Sequence, residues 1–386
     1  MRTTVEFFCG IGGFRLAADA VGLETVWAND IDAKACLVYR TRFRGPLHEG
    51  DVNDFLATAP PHDVLTGGFP CQPFSSAGKK KGVRDPRGTL FQALMQTIER
   101  RKPRFFVLEN VKRLLQMERG CHFATILSAL AGLGYRVEWR LLNAMHFGLA
   151  QNRQRVIIMG ARDEASEAGA YLAPPEDFVD LSDLDRIHER KQWHDIDDYG
   201  QRFGSWGMAG SGKFVSLDLT RFSQGKPRVA LEQVLEDEVP EQFDFTRSME
   251  PRLIRNEEVN RFVQGVEIIS NQNGGARMGY TVFGTRGLAP TLTATTSRHY
   301  ERYKVGKIYR RLTNVEYARL QGFPDGHCSC VPVYDQYGLY GNAVPPPMAE
   351  WVLRRMAAEP GQNPNSEGRR PKEIRMPKTE SSIALA

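Results

Sequence analysis

No stretch of the chain stays apolar for the about 18 positions that a bilayer span demands. The opening residues, MRTTVEFF, run straight into strand-like sequence and lack the basic, apolar and small-residue succession of a secretory signal. A cytoplasmic location is therefore expected. Cysteine is sparse: Cys9, Cys36, Cys71, Cys121, Cys328 and Cys330 are scattered without a CxxC pair, which argues against a disulfide framework or a zinc site. His327, Cys328 and Cys330 cluster but lack a fourth ligand at sensible spacing, so no metal is expected. Strong charge of one sign is missing too. The net charge of +5 is compatible with a polyanionic partner and does not demonstrate one. Internal repeats are absent, and so is the G-x-G-x-x-G pyrophosphate fingerprint. Gly207 to Lys213 has P-loop spacing, but Phe214 stands where a magnesium-binding Ser or Thr is required. That segment reads as a flexible loop.

What is present is an alternation of strand and helix patterns. Val5–Phe8, Thr25–Ala28, Val64–Thr66, Phe105–Leu108, Val137–Arg140 and Val156–Met159 read as strands. Leu90, Phe91, Leu94 and Ile98 recur at helical spacing. These signs predict an α/β fold with a doubly wound, mostly parallel sheet over residues 1–162. From 163 to 304 the texture becomes Gly-rich and irregular, which predicts a second, smaller, loop-rich domain. Helical patterns return in 305–358, and the polar, Pro-containing tail 359–386 is expected to be disordered.

Several motifs carry chemistry. In FFCGIGGF a strand enters a turn where Gly10, Gly12 and Gly13 would let the backbone approach a ligand. Asp30 ends the next strand, where an acid can take ribose hydroxyls, and Asp51 follows the third. With no pyrophosphate fingerprint, an adenosyl group without phosphates fits this turn better than NAD. GGFPCQPFS places Cys71 between Pro70 and Gln72 at the carboxyl end of a strand, where open α/β sheets bind ligands. The loop continues through Ser75 into Lys79, Lys80 and Lys81, which can meet phosphates and favour a thiolate; a solvated charge run is the alternative. Glu109 ends an apolar strand, where a carboxylate needs a partner or a task. Arg153 and Arg155 of QNRQR share one face of an extended chain.

With FFCGIGGF, ND at 29–30, DV at 51–52, GGFPCQPFS, RGTLF at 87–91, ENV at 109–111, QNRQR, RRLTNVEYARLQGFPD and GNAV at 341–344 in this order, the chain resembles the carbon-5 cytosine-specific DNA methyltransferase family. The matches cover the first 160 residues and the last third. GTRGLAPTLTA at 284–294 looks like the family's link from target-recognition domain to catalytic core.

The resemblance implies a Rossmann-like methyltransferase that moves a methyl group from S-adenosylmethionine to a flipped cytosine in duplex DNA. Cys71 would be the nucleophile. Glu109 would bind ring nitrogen 3 and the amine, Arg155 the 2-keto oxygen, and Arg153 would fix the catalytic loop and strand. Phe8, Gly10, Gly12, Gly13, Asp30, Ile31, Asp51, Val52, Pro70, Leu90, Asn342 and Val344 would surround the cofactor. DNA would be met by Gln72, Ser75, Lys79, Lys80, Lys81, Thr291 and Leu292, with Ser75–Gly88 closing over the base. Glu6, Cys9, Ile31 and Leu339 depart from the family's usual Asp, small, aromatic and Gln residues. The resemblance further implies a monomeric, nucleoid-associated modification enzyme whose cognate restriction endonuclease acts on the same sequence. An RNA-directed relative would carry a smaller insert, and a silent DNA binder would not require Cys71, Glu109 and Arg155 together.

Overall fold

The order of elements at the start of the chain is β1 (Thr3–Phe7), α1 (Gly13–Ala20), β2 (Glu24–Asp30), α2 (Ala33–Arg42), β3 (Leu47–Glu49), α3 (Val52–Phe55), β4 (Val64–Gly68), α4 (Thr89–Arg101), β5 (Phe105–Val111), α5 (Cys121–Gly132), β6 (Tyr135–Asn143) and β7 (Gln154–Arg162). The computed structural model describes residues 2–70, 89–162, 194–196, 201–218, 229–245, 256–272, 281–293 and 301–357. The strands assemble in the order β3-β2-β1-β4-β5-β7-β6. β1 to β5 pair in parallel, and β7 runs antiparallel to both of its neighbours. Strand order reverses beside β1, so the crevice above β1 and β4 is where such a sheet takes ligands.

Near-continuous burial along β5 reflects a strand covered on both faces. Phe106 and Leu108 join Leu94 and Ile98 of α4 and Phe123 and Leu127 of α5 in one apolar layer. The opposite layer holds Phe105 and Val107 with Phe14 and Ala17 of α1.

The sheet continues past residue 162. β8 (His194–Asp195), β9 (Trp206–Gly210) and β10 (Lys213–Leu217) extend it in the order β6-β9-β10-β8. The flexible loop expected over Gly207–Lys213 is therefore a β-hairpin, and part of the stretch assigned to a second domain completes the first sheet. Ser211 (φ 51°) and Gly212 (φ 76°) make a left-handed two-residue turn, which matches strand twist. Gly207 is required because a Cβ there would lie 2.1 Å from the Trp139 ring. A second sheet runs β11 (Asn256–Val263), β12 (Val266–Gln272), β13 (Val282–Phe283), β14 (Arg302–Val305) and β15 (Ile308–Arg310).

The chain then forms α6 (Asn314–Gln321), α7 (Val333–Asn342) and α8 (Pro346–Ala357). α6 starts with a capping box between Thr313 and Glu316. Met348, Val352 and Leu353 of α8 complete the layer begun by α1. Among the described residues no helix is long and apolar enough to cross a membrane. The expected disordered tail lies outside the described residues.

Candidate active site

β5 and β7 bring the first pair of predicted residues together. Glu109 lies opposite Ile157, and Val111 opposite Arg155, so Glu109 and Arg155 are diagonal neighbours on one face. Arg155 Nε sits 2.8 Å from Glu109 Oε1, with both side chains about nine-tenths buried. The contact is a close ion pair, and the two carboxylate oxygens keep acceptor capacity beyond it. Arg155 Nη1 donates to the Gln154 carbonyl at 2.8 Å. Burial lowers the Arg155 pKa, and the Glu109 charge opposes that shift. Gly68, at the end of β4, faces this carboxylate: a Cβ there would lie 3.5 Å from Glu109 Oε2.

Arg153 turns elsewhere. Fully buried, its guanidinium donates to the carbonyls of Leu292 at 2.7 Å, Gly341 at 3.0 Å and Ala343 at 2.9 Å. Burial and the nearby Arg155 push its pKa down to about 9, which still leaves it charged at neutral pH. It thus ties the start of β7 to the 288–292 link and to the segment after α7. Gln151 makes a parallel tie, donating to Leu320 O at 3.0 Å and accepting from Leu292 N at 3.0 Å.

The crevice at β1 and β2 gathers the residues expected to hold a cofactor. Asp30 accepts from Gly10 N at 2.7 Å and from Asp32 N at 2.9 Å, one bond to each oxygen, so both keep a free lone pair. Burial raises the Asp30 pKa, and those backbone bonds oppose it. Ile31 beside it is 70% exposed and apolar. Asp51 caps α3 by accepting from Asn53 N at 2.9 Å; Val52 is buried behind it and Leu90 is half-buried. Phe8 (φ 53°) and Gly10 (φ 54°) have left-handed backbones, and a Cβ on Gly10 would meet nothing within 4 Å. The other two glycines answer to the protein. A Cβ on Gly12 would lie 2.2 Å from the Phe43 ring, and one on Gly13 would lie 2.3 Å from the Val344 carbonyl oxygen. Of the three, only Gly10 has open space where a Cβ would stand. Pro70 and Asn342 are exposed and Val344 is buried against α1.

A cleft of about 460 Å³ opens beside the Glu109–Arg155 pair. Val111, Asn152 and Arg155 line it together with Val263, Gln264 and Thr291. Thr291 Oγ1 donates to the Asn152 carbonyl at 2.6 Å. Leu292, expected among DNA contacts, is corrected: its side chain is wholly buried in the core shared by the second sheet and α6, so only its backbone serves the site. Cys71, Gln72, Ser75, Lys79, Lys80 and Lys81 lie outside the described residues. Among the described residues no three His, Cys, Asp or Glu side chains form a metal-holding group; His327 Nε2 instead lies 2.8 Å from the Ile11 carbonyl oxygen.

Two contributors escape sequence reasoning. Asn110 Nδ2 donates to Phe69 O at 2.9 Å, pinning the backbone two positions before Cys71. Asn152 meets the tip of the β11–β12 hairpin. Their position inside ENV and QNRQR was the available signal, but an amide's partner is decided by the fold.

A family model described as C-5 cytosine-specific DNA methylase matches residues 2–358. The chain is 28% identical to Type II methyltransferase M.Sau3AI of Staphylococcus aureus, covering 89% of this chain and 92% of that protein. It is 30% identical to Type II methyltransferase M1.ScrFI of Lactococcus lactis subsp. cremoris, over 91% of this chain and 77% of the relative. Among solved structures, the S. pombe Dnmt2 methyltransferase is similar with a TM-score of 0.59 at 16% identity, covering 93% of this chain and 100% of that one. At that identity the likeness is one of fold.

Proposed function

Since the chain belongs to the C-5 cytosine-specific DNA methylase family and is a DNA cytosine-5 methyltransferase, we propose that Cys71, Glu109 and Arg155 carry its reaction. Carbon-5 of cytosine is a poor nucleophile until a thiolate adds to carbon-6 and converts the ring to an enamine. Cys71 makes that bond. Glu109 donates a proton or hydrogen bond to ring nitrogen 3 and accepts from the exocyclic amine. Arg155 holds the 2-keto oxygen, where negative charge gathers in a dry pocket. Loss of the carbon-5 proton and expulsion of the Cys71 sulfur then restore the aromatic ring. The observation that carries this reading is the buried Glu109–Arg155 ion pair beside the cleft that Arg155 lines.

S-adenosylmethionine, when bound, supplies an electrophilic methyl group. The crevice fits it: Asp30 retains lone pairs for ribose hydroxyls, Ile31 offers an apolar face to adenine, Asp51 lies within the same rim, and the space over Gly10 is open. Phe8, Val52, Pro70, Leu90, Asn342 and Val344 complete the surround, while Gly12 and Gly13 seat the turn.

Because a duplex hides both faces of the base, the target cytosine is extruded into the cleft at a cost of a few kcal/mol. The basic run at Lys79, Lys80 and Lys81 meets phosphates, Gln72 and Ser75 also meet DNA, and Thr291 stands on the cleft wall. Residues 1–162 and 305–358 form the catalytic unit, and 163–304 carries target recognition apart from the strands lent to the main sheet. The chain acts as a cytoplasmic, nucleoid-associated monomer that protects DNA beside a restriction endonuclease of the same specificity. Its named relatives are Type II methyltransferases.

The test is covalent trapping. A target duplex carrying 5-fluorocytosine should give a denaturant-stable adduct, since fluorine cannot leave as the proton does. An adduct that persists in Cys71→Ala, or substantial turnover by Cys71→Ser, refutes the assigned nucleophile.

A further inference from the structure

Asn152 stands where four segments meet. Its Oδ1 accepts from Asn143 Nδ2, at the end of β6, at 2.8 Å. Its Nδ2 donates to the Gln264 carbonyl at 3.2 Å and lies 3.4 Å from Gln264 Oε1. Its backbone N–H donates to Ala289 O at 2.9 Å, and its carbonyl accepts from Thr291 Oγ1 at 2.6 Å. Asn143 in turn accepts from Arg153 N at 3.0 Å.

Gln264 belongs to the two-residue turn between β11 and β12. It holds a left-handed backbone (φ 50°) with Gly265 (φ 84°), the two-residue turn that suits a twisted hairpin, and Gly265 O accepts from Leu288 N at 2.7 Å. Beside it, Val263 lines the cleft and is 42% exposed. Val263 and Gln264 line the same cleft as Arg155, so the tip is placed to touch whatever enters. Its side-chain tie to the catalytic sheet is the Asn152 amide, three residues from Arg155.

We propose that Asn152 is a positioning residue that couples the seating of this hairpin tip on DNA to the placement of Arg155 at the base, and so sets discrimination between target and near-target sequences. The proposal rests on the reading of the cleft as the DNA site. A correct sequence seats the tip with the amide bond intact and leaves Arg155 aligned. A wrong base pair displaces the tip, and the displacement reaches Arg155 through Asn152, Asn143 and the Arg153 backbone.

The target sequence is first identified by bisulfite sequencing of DNA from cells expressing the chain. kcat and KM are then measured on that duplex and on duplexes with one base pair changed, for wild type, Asn152→Ala and Asn152→Asp, with thermal midpoints and cofactor dissociation constants alongside. Aspartate keeps the acceptor for Asn143 and loses the donor to Gln264. Both variants should lower kcat/KM on the target by about 10-fold or more and leave the altered duplexes within about 3-fold, so that the ratio collapses, with cofactor binding unchanged. Equal losses on both duplexes would reduce Asn152 to a brace, and wild-type behaviour of Asn152→Asp would remove the Gln264 bond from the mechanism; either result overturns the proposal. Full turnover by Glu109→Gln would instead overturn the reading of the cleft, and the coupling with it.

Discussion

Glu6 lies on β1, wholly enclosed, with the Tyr39 hydroxyl donating to Oε2 at 2.9 Å and Oε1 left without a partner. Burial pushes its pKa up to about 8 from the ordinary 4.5, so the folded chain keeps a proton that the unfolded chain releases. Stability from this group is complete below about pH 4.5 and declines as pH rises to about 8. Glu6→Gln, neutral at every pH, should flatten that decline and stabilise the protein on the order of 1 kcal/mol or more at about pH 8. Thermal midpoints of the two proteins across the range check this, and parallel curves would contradict it. On the proposed roles, Glu109→Gln should cut single-turnover methylation by about 10²-fold to 10³-fold without changing cofactor affinity measured by calorimetry. The loss arises because the amide can neither carry the proton nor pair as an ion with Arg155.

Between β1 and α1, neighbouring glycines do different work. Gly10→Ala places a methyl in open space and bears the left-handed backbone penalty alone, about 1 kcal/mol; its larger effect should be on cofactor affinity. Gly13→Ala drives a Cβ into the Val344 backbone, which no rotamer change relieves, so it should cost about 2 kcal/mol or more. Urea denaturation of the pair orders them, and a Gly13→Ala protein as stable as wild type would show that α1 can slide away from the segment after α7. The hairpin of β9 and β10 makes the same point about glycine. Its residues lack the apolar alternation of a strand, yet Gly207 is what allows β9 to lie against Trp139.

On the scale of the molecule, the chain's end closes the sheet its beginning opens. α8 packs against α1 and shares an apolar layer with Phe105 and Val107 of β5. Arg153 fastens the carbonyls of Gly341 and Ala343 to the same region. Residues 2–162 expressed alone should therefore expose that layer and fail to fold; a dispersed amide spectrum from the fragment would contradict this. In the full chain Met348→Ala, which empties a fully buried site, should cost about 2 to 5 kcal/mol, read as a lower thermal midpoint with activity at 25 °C retained.

The sequence by itself determined the parallel core and the ordered motifs that carry the family likeness. Strands buried on both faces read as unbroken apolar runs, and Glu109, Arg155 and Asp30 stand where such runs end. A carboxylate or guanidinium at that border is conspicuous in one dimension. Only the tertiary structure decided what glycines, amides and short strands do. Gly12 and Gly13 read as a turn near a ligand, and the fold adds that Phe43 and Val344 leave no room for a Cβ there. Leu292 looks like part of a recognition link until the second sheet and α6 enclose it. α7, with Gly338 and Gly341 weakening its helical pattern, is secured by buried Tyr337 and Tyr340 from a distant core. The physical reason is shared: hydrophobic periodicity is a local property of the chain, whereas close approach and amide pairing belong to residues that folding brings together from far apart.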